Sequence, residues 1–339
     1  MPTFAIKKKE LIPGQAARQI FGLVREEMGL VEAEFERQAR SNIQVIDYLG
    51  DYLRSSGGKR VRPALLILTN RAAGGHGDSD NVIRLATVME MLHTATLVHD
   101  DIIDNADLRR NRTTINARFG NHAAVLMGDW LYMSAFEASL RERSLEILDI
   151  LTKLTRKMTE GELIQLTTIG KVDLSEDEYF DILKRKTAYL FAGCCEIGAI
   201  LARANPDRQK GLREYGMNLG IAFQLADDLL DFTSDEDSLG KAAGADLLEG
   251  KMTLPLIKLV AEKPAFKGLL EEVMVSGEYL NETRDEINSE MNRLGILPQV
   301  REIATGYATD ARKNLELFPQ TEYLDALDEI PNFVIARNR

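Results

Sequence analysis

Two short acidic clusters constrain this chain more than anything else in it. The first, Asp100-Asp101-Ile102-Ile103-Asp104, closes a run in which Leu85, Val88, Met89, Leu92, Thr96, Asp100 and Asp104 recur at steps of three or four. Such steps make one ridge of a helix, so Asp100 and Asp104 stand a turn apart with Asp101 on the flank. The second, Asp227-Asp228-Leu229-Leu230-Asp231, ends the apolar run from Leu219 to Ala226. An uncompensated carboxylate on an apolar ridge is costly, and each ridge therefore wants a cation. One isolated cluster is as easily a solvated helix face. Two are not, because a solvated face carries charge at many spacings, whereas the positions one and two turns before these aspartates are mostly apolar or small. The pair predicts one site shared between two helices. Its ligands are hard oxygens with no Glu-x-x-His or histidine-rich pattern, which argues against iron or zinc. Mg²⁺ suits them, because it binds through one or two carboxylates, keeps waters and takes its other ligands from phosphates.

The rest of the chain reads as all-α and as a single domain over residues 1–339, with 1–14 a flexible N-terminal segment. No Pro/Gly/Ser-rich linker interrupts it, its nine prolines stand singly, and alternating period-two runs are absent. A hydrophobic content of 45% is ample for a large core. The net charge of −11 disfavours a nucleic-acid partner. Cys194 and Cys195 are adjacent, cannot readily bridge and read as packed helix residues, compatible with a reducing compartment. No apolar run has signal-peptide or membrane-span length, so a soluble, cytoplasmic protein is expected.

Along the chain, residues 15–40 have the spacing of an outer amphipathic helix, and a shorter helix ends near Ser55-Ser56-Gly57-Gly58. Lys59-Arg60-Val61-Arg62-Pro63 then opens another, with Pro63 where a helix start tolerates it. Cations and free amides at a helix start form an anion cradle or, more plainly, a basic cap. Arg109, Arg110 and Arg112 follow Asp104 closely, a spacing that makes sense if cations and carboxylates meet one polyanion. Residues 121–169 read as two long helices, and Ser175 with Glu178 as a capping box leading to Lys184-Arg185-Lys186-Thr187. The polar stretch Thr233–Asp246, with Gly240 and Lys241, is the longest loop candidate and a candidate lid, and Gly250-Lys251 opens the next helix. From Ala265 onward the chain reads as chemically plain amphipathic helix. His76 and His122 suggest no partner, while His93 and His99 share the helix of the first cluster.

Together these stretches resemble the trans-polyprenyl diphosphate synthases, the head-to-tail isoprenyl chain elongases, and look most like the octaprenyl-type long-chain members. The resemblance spans residues 50–260. It rests on Gly58-Lys59-Arg60-x-Arg62-Pro63, the first aspartate cluster with Arg109-Arg110, Lys186-Thr187, Gln224 with the second cluster, and Lys241 with Gly250-Lys251. Asn111 departs from the glycine common after the arginine pair. The resemblance implies a helical bundle of the isoprenoid synthase type around a deep central cavity, usually homodimeric, and condensation of isopentenyl diphosphate with an allylic diphosphate. By the family pattern Asp100, Asp104 and Asp227, supported by Asp101, Asp228 and Asp231, hold Mg²⁺ ions on the allylic diphosphate. Arg109, Lys186 and Lys241 grip that diphosphate. Lys59, Arg62, His93 and Arg110 bind isopentenyl diphosphate, Lys251 belongs to the substrate-binding set, and Thr187 and Gln224 face the carbocation. Small Ala95 and Thr96, where short-chain relatives are commonly aromatic, leave a tunnel open toward Leu92 and Met89. A hexaprenyl-to-decaprenyl product of the quinone side-chain kind is therefore expected, with transient membrane contact for its release. The alternatives are a farnesyl or geranylgeranyl synthase, with side chains around Met127 or Leu131 closing the tunnel, a class I terpene cyclase or head-to-head condensing enzyme, and a regulatory subunit.

Overall fold

In the computed structural model, which describes residues 13–54, 60–109, 112–233, 244–279 and 281–336, the apolar periodicity becomes helix after helix. The chain runs through α1 (Pro13–Gly22), α2 (Arg25–Ala39), α3 (Gln44–Arg54), α4 (Val61–Ala72) and α5 (Asp80–Ile103). A small antiparallel hairpin follows, pairing Leu108 with Thr113 and Arg109 with Arg112. Then come α6 (Ile115–Phe119), α7 (Asn121–Leu140), α8 (Leu145–Thr168), α9 (Glu176–Leu183), α10 (Tyr189–Leu201) and α11 (Pro206–Thr233). The remainder is α12 (Ala245–Leu248), α13 (Leu254–Glu262), α14 (Lys267–Ser276), α15 (Asn281–Arg293), α16 (Ile296–Lys313) and α17 (Glu322–Ile335). The all-α expectation holds, with two differences. The single helix expected over 15–40 is two, because Val24 leaves helical geometry (φ −119°, ψ 21°) and is fully buried at the turn between them. The hairpin after Asp104 has strands too short for a period-two pattern to announce.

Helix α5 is buried nearly all round, from Val82 through Met89 and Leu92 to Val98, as befits a helix apolar on every face. Each such side chain contributes roughly 1.5 to 3 kcal/mol of burial. It packs on α2, α4 and α7, and His99 seats it on α7 by bonding the Val125 carbonyl at 3.2 Å over Gly128. Helices α10 and α11 meet backbone to backbone. A Cβ on Gly216 would stand 2.6 Å from the Phe191 carbonyl oxygen, which is why a glycine occupies that position. Helix α11 separates two apolar clusters, giving Leu212 and Leu219 to the one around α5 and Leu225 and Leu229 to the one built on the later helices. Both aspartate clusters thus lie at the C-terminal ends of two long, largely buried helices. Cys194 and Cys195 are buried in α10, as packed helix residues should be.

Candidate active site

The capping box expected at Ser175 and Glu178 is present, and it starts α9 so that Tyr179 turns inward. One turn later the chain widens into a π-helical turn over Lys184–Ala188. Such turns are rare and concentrate at functional sites. This one fits only because α8 carries Gly161, where a Cβ would stand 2.6 Å from the Arg185 Cβ. The turn aims Lys186 at α8, where its ammonium bonds Glu162 at 2.6 Å and Gln165, and sets the Thr187 hydroxyl 2.9 Å from Gln224 Oε1 on α11.

Lys186 also acts on Asp100. Burial pushes the Asp100 carboxyl up to about 7, with Glu162 and Asp104 adding to the rise while Lys186 and Arg109 oppose it. Asp104, at the end of α5, accepts a hydrogen bond from Lys251 Nζ at 3.1 Å, and Lys251 reaches Glu249 at 2.7 Å. Burial disfavours the Lys251 charge, but Glu249 and Asp104 outweigh it and hold its pKa above the ordinary lysine value. Asp101 points elsewhere: it is buried and bonds Arg109 Nε at 2.6 Å.

On α11 the three aspartates divide similarly. Asp228 is only 3% exposed, with Oδ1 accepting from Gln224 Nε2 at 3.0 Å and Oδ2 accepting from the Tyr179 hydroxyl. Asp231 accepts the backbone N–H groups of Ala245 at 3.1 Å and Asp246 at 3.4 Å, so it fastens the start of α12. Burial pushes both carboxyls up to about 7, Asp246 adding to each. Asp227, just before them, is half-buried. Two lysines stand beside the first ridge and reach toward the second only through neighbours. Lys186 interacts with Asp100 and adjoins the Thr187–Gln224 pair, while Lys251 bridges Asp104 to Glu249, whose charge reaches Asp231.

Among the described residues no three His, Cys, Asp or Glu side chains stand together at metal-ligand spacing. The donors nonetheless fit a hard divalent cation. Several buried carboxylates raise one another's affinity for protons here, which is the condition a cation relieves, and oxygen pairs that leave other positions to substrate phosphates suit Mg²⁺.

The opposite flank of α5 faces a partly open pocket lined by His93, Thr94, Asp101, Arg109, Arg112 and Tyr52 among others. Arg60, Arg109 and Arg112 supply its positive charge. Arg62, at the start of α4, instead lies over the Phe191 ring at 5.0 Å. Arg60 adopts φ 50° and is held by Glu32 at 2.6 Å and Glu90 at 2.7 Å. Lys59, Arg110, Asn111 and Lys241, and most of the expected loop over 233–246, lie outside the described residues. Below Asp100, the residues Ala95, Leu92 and Met89 are fully buried, and Thr96 is half-buried with its hydroxyl on the His93 carbonyl at 2.7 Å. Met127 and Leu131 of α7 are buried as well. His76 and His122 are exposed.

Tyr179, Glu162, Gln165 and Glu249 were not singled out by sequence. The spacing of Glu162 and Gln165, three apart on one face of α8, is the only signal that points to them.

The polyprenyl synthetase family model matches residues 43–291, which contain both aspartate ridges, Lys186 and Lys251. The chain belongs to the polyprenyl synthetase family. Among curated relatives of this family member is the octaprenyl diphosphate synthase of Escherichia coli, 37% identical over 317 residues, 94% of this chain and 98% of the relative. Among solved structures, a polyprenyl synthase from Caulobacter crescentus, complexed with calcium and isoprenyl diphosphate, superposes with a TM-score of 0.89 at 35% identity, covering 95% of this chain and 98% of that one. A decaprenyl diphosphate synthase from Rhodobacter capsulatus also reaches 0.89, at 32% identity over 95% of this chain and 99% of its own.

Proposed function

We propose that this family member is a Mg²⁺-dependent prenyltransferase that condenses isopentenyl diphosphate with an allylic diphosphate to build a long all-trans polyprenyl diphosphate. The observation that carries the reading is the pair of aspartate ridges, with Lys186 acting on Asp100 and Lys251 bonded to Asp104, and a basic pocket on the other flank of the first ridge. Asp100, Asp104 and Asp227 hold the metal. When bound, Mg²⁺ supplies neutralisation of the charge that develops on the departing diphosphate.

The chain's own residues do the rest. Lys186 and Arg109, with Lys241, grip the allylic diphosphate, and their fixed charges stabilise it as the allylic C–O bond breaks and the electron pair leaves with oxygen. His93 and Arg62, with Lys59 and Arg110, hold isopentenyl diphosphate so that its double bond faces the cation. A new C–C bond forms, and loss of a proton restores the alkene. Thr187 and Gln224 offer oxygen lone pairs to the transient positive charge.

Product length rests on the first layer beneath Asp100. Ala95 and Thr96 are small, so the growing chain passes them toward Leu92 and Met89, each added unit moving apolar surface out of water. Relatives that make octaprenyl and decaprenyl diphosphates support a hexaprenyl-to-decaprenyl product of the quinone side-chain kind. The acceptor and primer are water-soluble diphosphates, which favours a cytoplasmic enzyme that meets a membrane only to release product. A homodimer is supported by α7, which buries Ala124, Leu131 and Ala135 on one face yet leaves Leu126 68% and Met133 63% exposed on the other. No helix of the described residues is long and apolar enough to cross a membrane.

The test is incubation with farnesyl diphosphate, excess isopentenyl diphosphate and Mg²⁺, followed by chromatography of the dephosphorylated alcohols. Hexaprenol or longer is expected. Farnesyl diphosphate left unextended, or products that stop at geranylgeraniol, would overturn the long-chain reading.

A further inference from the structure

Thr187 and Gln224 are neutral, and each can present either a donor or an acceptor. Only their oxygens stabilise a cation. What holds the Gln224 amide one way round is a chain of hydrogen bonds ending on a residue that the proposed reaction does not use, Tyr179. This side chain is 7% exposed in α9 and packs edge-on against Phe180 with ring centroids 5.3 Å apart. Its hydroxyl donates to Asp228 Oδ2, Asp228 Oδ1 accepts from Gln224 Nε2 at 3.0 Å, and Gln224 Oε1 accepts from Thr187 Oγ1 at 2.9 Å. A carboxylate only accepts, so Gln224 must turn its NH₂ to Asp228 and its carbonyl to Thr187. That carbonyl takes the Thr187 proton, which leaves the threonine oxygen with lone pairs alone to offer.

We propose that Tyr179 is a positioning residue for the elongation step: by donating to Asp228 it locks Gln224 and Thr187 with their oxygens toward the allylic cation. The inference rests on the prenyltransferase reading above. Without the phenol, Asp228 Oδ2 loses its donor deep in the protein, Asp228 is no longer pinned and can swing off the Gln224 NH₂, and the Gln224–Thr187 pair loses the anchor that holds its oxygens in place.

Tyr179→Phe keeps the ring and removes the donor. At saturating substrate kcat should fall about 10- to 100-fold while KM for each diphosphate stays within about twofold, because the lost interaction matters only as charge develops. In a Gln224→Ala background the same substitution should cause no further loss, since the group through which it acts is gone. Wild-type kcat in Tyr179→Phe, or a loss repeated in full in the Gln224→Ala background, would overturn the inference. Should Tyr179→Phe fold poorly, Asp228→Asn, which keeps the volume and accepts either amide orientation, should give the same kcat loss at unchanged KM and unchanged Mg²⁺ requirement, and full kcat or a kcat restored by added Mg²⁺ there would overturn it equally. Wild-type protein that elongates no allylic diphosphate overturns the functional reading and this inference with it. Wild-type turnover alongside an unaffected Tyr179→Phe overturns the inference alone.

Discussion

Because successive residues of a helix point about 100° apart, Asp100 and Asp101 meet different partners. Asp100 faces Lys186 and the other acidic groups, whereas Asp101 turns to Arg109 and the basic cavity. The same rotation separates Asp228, spent on Gln224 and Tyr179, from Asp227. The aspartates were legible because charge on an apolar ridge is rare, and the spacing told which of them share a ridge. Tyr179 was not, since one tyrosine on an amphipathic helix signals packing and nothing more. A pH effect follows from the buried carboxyls. Asp100, Asp228 and Asp231 sit up at about 7, chiefly through burial, whereas aspartates of an unfolded chain titrate near 3.9. The folded state therefore retains protons that the unfolded state has released. The stability they contribute is full below about pH 4 and is lost as pH rises through about 7. In metal-free buffer, Tm should drop between about pH 6 and about pH 8, and Mg²⁺ should raise it more at the higher pH. Scanning calorimetry reads this directly, and a Tm that climbs across that interval without metal would be inconsistent with it. Arg62 gives a second residue-level expectation. Arg62→Ala should raise KM for isopentenyl diphosphate about tenfold or more and leave that for the allylic substrate nearly unchanged, as loss of a charge-assisted contact worth roughly 1.5 to 3 kcal/mol requires. Equal shifts in steady-state KM for the two substrates would mean that Arg62 serves both sites.

Elements were read from sequence with uneven success, for physical reasons. Long apolar periodicity made α5, α7, α8 and α11 visible, and Ser175 with Glu178 marked the start of α9. The break at Val24 was missed because a buried valine continues the apolar pattern whether or not the backbone turns. The π-helical turn at Lys184–Ala188 was missed because it depends on Gly161 of another helix, a contact no local pattern contains. Helix α5 carries the element-level prediction. Ala95 is fully buried one layer beneath Asp100, so Ala95→Phe fills the path of the growing chain without touching a carboxylate. Overpacking should cost about 1 to 3 kcal/mol of stability. Product should shorten toward farnesyl and geranylgeranyl diphosphate with turnover retained. An unchanged product distribution by chromatography would place the length-setting layer elsewhere.

At the scale of the whole molecule, α7 is apolar around its circumference but covered on one side only. Leu126, Met133 and Leu140 recur at sevens along its exposed face, the spacing of a seam that a second copy would bury. Sedimentation of the wild type should give a dimer, and Leu126→Asp with Met133→Asp should shift it to monomer at the same concentration. A wild-type monomer would refute the assignment of that face. Catalysis depends most directly on metal and aspartates acting together in this proposal. Transfer of labelled isopentenyl diphosphate to farnesyl diphosphate should proceed with Mg²⁺ and stop in excess EDTA. In Asp100→Ala or Asp227→Ala it should slow on the order of a thousandfold, several kcal/mol of lost transition-state stabilisation. Full activity in EDTA, or in either variant, would contradict it.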